Sequence, residues 1–94
     1  MLVKVRTFAN LRDVLGSAEI EYEFHQGNTL GCLLESMCQK YGKSFEHQIK
    51  DHATGFLVPF LVLINDKTYR SVADLETPLN ESDIITIMLP FDGG

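Results

Sequence analysis

Apolar and polar side chains alternate over residues 2–8 and again, more strictly, from Glu19 to Phe24. In the first run Val3 and Val5 fall on one side and Lys4 and Arg6 on the other. In the second, Ile20, Tyr22 and Phe24 are opposed by Glu19, Glu21 and Glu23. A period of two is that of a half-buried strand, so the two runs predict a hairpin, with a short helical turn over Ala9 to Leu15 stopped by Gly16. The period then changes. Leu30, Leu33, Leu34, Met37, Cys38 and Tyr41 recur at steps of three and four, the stripe of an amphipathic helix. Asn28 or Thr29 can cap its first amide hydrogens, and Gly42 ends it, which predicts one long helix from about Thr29 to Tyr41.

Beyond it the pattern is weaker. Phe45 and Ile49 lie four apart and fit a second, short helix within 43–57, and Ala53 to Gly55 read as loop. Pro59 to Ile64 is a strand apolar on both faces. Asn65-Asp66 turns into Lys67–Tyr69, residues 71–83 connect, and Ile84 to Leu89 is the last strand. The order strand, strand, helix, strand, short strand, strand is solved compactly by one helix laid across one face of a mixed sheet. The expectation is an α+β, ubiquitin-like β-grasp domain over residues 1–89 with a free C-terminal tail over 90–94.

Composition narrows the function classes. With 45% hydrophobic and 22% charged residues the chain has the balance of a folded domain rather than a disordered one. The net charge of −5 sits entirely in the second half, where residues 51–94 carry two basic and seven acidic side chains and no Lys or Arg follows Arg70. An acidic chain is a poor ligand for nucleic acid or an anionic membrane, because phosphate binding rests on Lys and Arg, and it suits a basic protein partner better. No targeting segment or apolar span is evident, which points to the cytoplasm. Cys32 and Cys38 are too few for a disulfide scaffold and read as structural filler. His25, His47 and His52 lack metal-ligand spacing; on one helix His47 and His52 would diverge, so no metal site is expected. No nucleophile elbow or phosphate loop is present, and Glu19, Glu21 and Glu23 are a solvated strand face rather than an acid–base pair. The chain is not expected to be an enzyme on its own.

The end of the chain is distinctive: Pro90-Phe91-Asp92-Gly93-Gly94. Two glycines lack Cβ atoms and can thread a narrow tunnel. The terminal carboxylate is open to attack, but ionised and therefore a poor electrophile until a partner activates it.

With these residues in view, the chain resembles the MoaD/ThiS-type sulfur carriers of the ubiquitin-like superfamily. The resemblance runs through Val3–Asp13 and Gly16, the Gly-x-Thr helix start in Gly27–Glu35, Val62–Asn65, Pro78–Asp83 and Pro90–Gly94, and most resembles the molybdopterin-synthase small-subunit branch and its archaeal relatives. Thiamin-pathway carriers usually lack much of the segment 43–58. Two departures stand out. One proline, Pro90, precedes the glycines where the family often has two, and Ser82-Asp83 stands where it often has Gly-Asp.

The resemblance implies a mechanism. An E1-like adenylating enzyme uses ATP to form an acyl-adenylate on Gly94, and a persulfide donor converts it to a thiocarboxylate. The sulfur then goes to an acceptor, in this branch a pterin precursor on the molybdopterin synthase large subunit. No cofactor is bound by the carrier, which acts as co-substrate. Gly93, Asp92, Phe91 and Pro90 would thread into the partner. Strand alternation leaves Leu61, Leu63 and Met88 facing away from the helix, and with Phe91 they are expected to form an apolar docking patch, unless residues 43–57 fold over it. The competing readings are a protein modifier joined through Gly94 to lysines and an interaction module without tail chemistry.

Overall fold

The computed structural model describes residues 1–89 of the 94-residue chain. Five strands form one sheet: β1 (Leu2–Arg6), β2 (Glu19–Glu23), β3 (Leu61–Ile64), β4 (Lys67–Arg70) and β5 (Ile84–Met88), in the order β2-β1-β5-β3-β4. The first and last strands are parallel neighbours at the centre, and the other pairs are antiparallel. Three helices, α1 (Ala9–Leu15), α2 (Leu30–Tyr41) and α3 (Lys43–Ile49), complete the order.

The helix stripe does what its period demands. Leu30, Leu33, Leu34, Met37 and Cys38 are all buried. They share a core with Val3 and Val5 of β1, Val62 and Ile64 of β3, and Ile85 and Ile87 of β5. Thr29 is the N-cap, its hydroxyl accepting from the Cys32 amide at 3.2 Å. Gly42, at φ 69°, turns the chain directly from α2 into α3.

Segment 43–57 settles one alternative. Phe45 and Ile49 of α3 are fully buried, and α3 packs on α2 and α1. The segment therefore thickens the helical layer and does not fold over the opposite face of the sheet.

The strand bounds differ slightly from expectation. β3 begins at Leu61 rather than Pro59, because Pro59 has no amide to give and the Phe60 amide is taken by the Ser71 hydroxyl at 3.0 Å. At the other end of β3, Asn65 (φ 55°) makes the turn into β4, and its side chain bonds both Asp83 and the Ile84 amide at 3.0 Å, tying the hairpin to the start of β5. The Ser82-Asp83 departure has a structural consequence: Ser82 holds φ 68°, a left-handed conformation that glycine adopts without strain. Among the described residues no helix is long and apolar enough to cross a membrane.

Candidate functional site

The helices cover one face of the sheet, and among the described residues the other face is open. Its rows follow from the strand register. Glu19, Arg6, Thr86, Leu63 and Thr68 lie side by side across the sheet, and Met88, Leu61 and Arg70 form the next row toward the C-terminal end of β5. The β2 edge is ionic. Arg6 donates to Glu19 at 2.7 Å and Lys4 approaches the same carboxylate at 4.0 Å; the Arg6 hydrogen bond, foremost, holds the Glu19 carboxyl below its ordinary range. Toward β3 the face becomes apolar.

Leu61 and Met88 are direct cross-strand partners, and both are more than two-fifths exposed, while Leu63 beside them is half-buried. Phe8, 49% exposed, was not anticipated here. It continues the extended backbone of β1 at φ −132° and ψ 160°. Carried two residues beyond its last pair, Arg6 with Thr86, the parallel register would set Phe8 level with Met88. Only the parallel register of β1 against β5 reveals that neighbour, and nothing in the local sequence does. Phe8, Leu61 and Met88 are three of the five large apolar side chains left exposed among the described residues, and Leu61 and Met88 adjoin. Exposed apolar side chains gathered on one face are frequent at interaction sites.

Leu89, next after Met88, is buried at 4% exposure and is the last described residue. Pro90, Phe91, Asp92, Gly93 and Gly94 lie outside the described residues. Of the residues expected in the patch, Leu61 and Met88 are exposed on the open face, Leu63 is half-buried and Phe91 is not among the described residues.

Elsewhere, a hollow of about 630 Å³ lies on the helical side between the end of β2 and α2 and is lined in part by Phe24, Cys32 and Leu75. It includes none of the patch residues. The two free cysteines differ. Cys38 is buried, and desolvation pushes its thiol up. Cys32 is half-buried, and the Thr29 hydroxyl, donating to its Sγ at 3.1 Å, draws its thiol down. The Cys32 Sγ also occupies the space that a Cβ on Gly27 would need, so Gly27 is required by contact as well as by its φ of 78°.

A mixed sheet with its first and last strands paired in parallel at the centre and a helical layer on one face define the ubiquitin-like β-grasp class. The chain belongs to the ThiS family, whose model matches residues 5–94. Among solved structures it is similar to small archaeal modifier protein 1 from Methanosarcina acetivorans, at 31% identity, TM-score 0.71, and coverage of 99% of this chain and 96% of that one. It is similar in fold to small archaeal modifier protein 1 from Haloferax volcanii, at 22% identity and TM-score 0.77 over the full length of both chains. The same holds for a putative molybdopterin converting factor subunit 1 from Pyrococcus furiosus, at 22% identity, TM-score 0.69, and coverage of 96% and 98%. No curated protein matches the chain.

Proposed function

We propose that this protein is a sulfur carrier whose reacting atom is the C-terminal carboxyl of Gly94. The observation that carries the reading is the junction of two features: a Gly93-Gly94 end, and an exposed apolar patch at the root of that tail on a sheet face the fold leaves uncovered. An adenylating partner docks on Phe8, Leu61, Leu63 and Met88 and takes the tail, from Pro90 to Gly94, into its own active site. There the Gly94 carboxylate attacks the α-phosphorus of ATP and pyrophosphate leaves. The outer sulfur of a persulfide then displaces AMP, and a second thiol cleaves the resulting S–S bond, leaving a thiocarboxylate. The nucleophiles and bases of these steps belong to the partners, and this chain supplies a docking face and an unbranched end.

The acceptor that fits best is a pterin precursor of molybdopterin, bound by a synthase large subunit. Two things support that branch: the presence of segment 43–58, built here into α3 and the loop after it, and the fold likeness to the Pyrococcus protein.

A second reading has its own support, since the Methanosarcina relative is called a modifier protein. Conjugation would use the same acyl-adenylate and end on a lysine amine instead of sulfur. Intact mass spectrometry of protein from its native cells separates the two. Exchange of one oxygen for one sulfur on the free protein marks the carrier, and branched peptides on other proteins mark the modifier. Because no Lys or Arg follows Arg70, trypsin would leave residues 71–94 on a modified lysine, so a protease cutting before Asp92 is the better choice.

A further inference from the structure

Five residues of helix would part His47 from His52, yet the structure brings them together. α3 ends at Ile49, and Lys50 is extended at φ −121° and ψ 146°, so the chain leaves the helical path before His52 is reached. The imidazole centres are 4.5 Å apart with their planes inclined by 51°. Both rings line a surface hollow of about 270 Å³ together with Lys43, Glu46, Lys50 and Asp51, two cations and two carboxylates that balance.

The loop carrying His52 is braced. The Asp51 carboxylate accepts from the amides of Ala53 and Thr54 at 2.7 and 3.1 Å. The Asp51 backbone bonds Phe56 and Gly55, each at 2.8 Å. The Val58 amide donates to the Ile49 carbonyl at 2.8 Å, which ties the end of this loop to the end of α3.

From this the geometry points to a two-imidazole site for a divalent transition-metal ion of the copper(II) or nickel(II) type. Imidazole suits these ions, and both favour tetragonal shells of nitrogen and oxygen. With a metal–nitrogen bond of about 2.0 Å and a ring centre about 1.1 Å beyond it, two imidazoles at right angles on one ion have centres about 4.4 Å apart. At a tetrahedral angle the separation would be about 5.1 Å. The observed 4.5 Å is near the first of these separations, so the two rings are close enough to supply adjacent corners of a tetragonal shell that water would complete. Among the described residues no group of three or more His, Cys, Asp or Glu side chains could hold a metal, so a closed zinc site of four protein ligands is not formed. A bound ion would staple loop 50–56 to the end of α3 at residues distinct from those of the docking patch.

The test uses the full-length, tag-free protein titrated with copper(II) and nickel(II) chlorides by calorimetry, together with the copper(II) electron paramagnetic resonance spectrum. One saturable ion per chain is expected, with a spectrum showing coupling to two imidazole nitrogens. His47→Gln and His52→Gln should each weaken copper binding about tenfold or more, the double variant should abolish it, and His25→Gln should leave it unchanged. Nickel should raise the melting temperature of the wild type but not of the double variant. Copper binding retained in the double variant, coupling to a single nitrogen, or no saturation up to millimolar metal would each overturn the site.

Discussion

The two faces of one sheet, built from the same strands by the same alternation, have different reasons for their apolar residues. On the helix side Val3, Val5, Val62, Ile64, Ile85 and Ile87 are all buried, and hydrophobic burial alone accounts for each of them. On the other side Leu61 and Met88, neighbours on β3 and β5, remain more than two-fifths exposed, and Phe8 at the end of β1 stands nearly half exposed. Folding gives no reason for these three. The difference teaches where to look for function on this fold: at apolar residues that the core does not need.

The largest expected effect tests the covered face. Leu34, 2% exposed on α2, should cost about 2–5 kcal/mol when truncated to alanine, as buried leucines do. The same truncation at Leu61, 44% exposed, should cost under about 0.5 kcal/mol. Urea melts of the two variants side by side measure the contrast directly. Equal losses would break it and place Leu61 in the core.

The next effect concerns the tail. Deleting Gly94 moves the reacting carboxylate back by about 3.5 Å, and misplacement by about 1 Å already costs on the order of 100-fold in a positioned reaction. ATP–pyrophosphate exchange with the cognate adenylating enzyme should be lost in the deletion and in Gly93→Val, while urea stability and partner binding stay at wild-type values. Undiminished exchange in the deletion would remove the carrier and modifier readings together and leave the interaction module.

The open face itself is probed by Leu61→Asp. Arg70 lies directly opposite, so the folded monomer can accept the new carboxylate, and the melt should change little. Desolvated against the apolar surface of a partner, the same carboxylate should cost roughly 2–4 kcal/mol of binding. Unfolding without loss of affinity for the folded fraction would show that the face is structural. Leu61 serves better than Leu63 here, since Leu63 is half-buried between Thr86 and Thr68 and mixes the two effects.

These contrasts also show what was legible beforehand. α2 could be read residue by residue, including its Thr29 cap, because a 3.6-residue period is a local property and its stripe is unbroken. The inward and outward residues of β1, β3 and β5 were legible for the same reason at a period of two. Phe8 was not, because its place beside Met88 depends on a parallel pairing between the two ends of the chain. The meeting of His47 and His52 was missed because it depends on where α3 stops, and a buried Ile49 followed by an extended Lys50 is decided by packing. The side on which 43–57 lies was open for a like reason: Phe45 and Ile49 announce burial but not against which layer. The tail chemistry was read from residues 90–94, which lie outside the described part of the chain, together with the family resemblance that runs through Val3–Asp13, Gly27–Glu35, Val62–Asn65 and Pro78–Asp83.

The smallest effect offers the cleanest separation of the two faces. Ser82 sits at φ 68° just before β5, the strand that sends Ile85 and Ile87 to the core and Met88 to the patch. Its amide donates to the Leu2 carbonyl at 2.8 Å, and its neighbour Asp83 accepts from the Asn80 amide and the Asn65 side chain, so the loop is held in this conformation by bonds that do not involve the Ser82 side chain. A left-handed non-glycine residue is strained by about 1–2 kcal/mol, partly offset in Ser82→Gly by the greater freedom that glycine gives the unfolded chain. The substitution should therefore raise stability by about 0.5–1 kcal/mol in urea melts. Since it touches neither face, exchange with the adenylating enzyme should not move. A gain in stability with unchanged exchange separates what holds the sheet together from what the open face does. A fall in exchange at full stability would mean that the path of this loop into β5 sets the aim of the tail, and would extend the functional region from the patch back to residue 82.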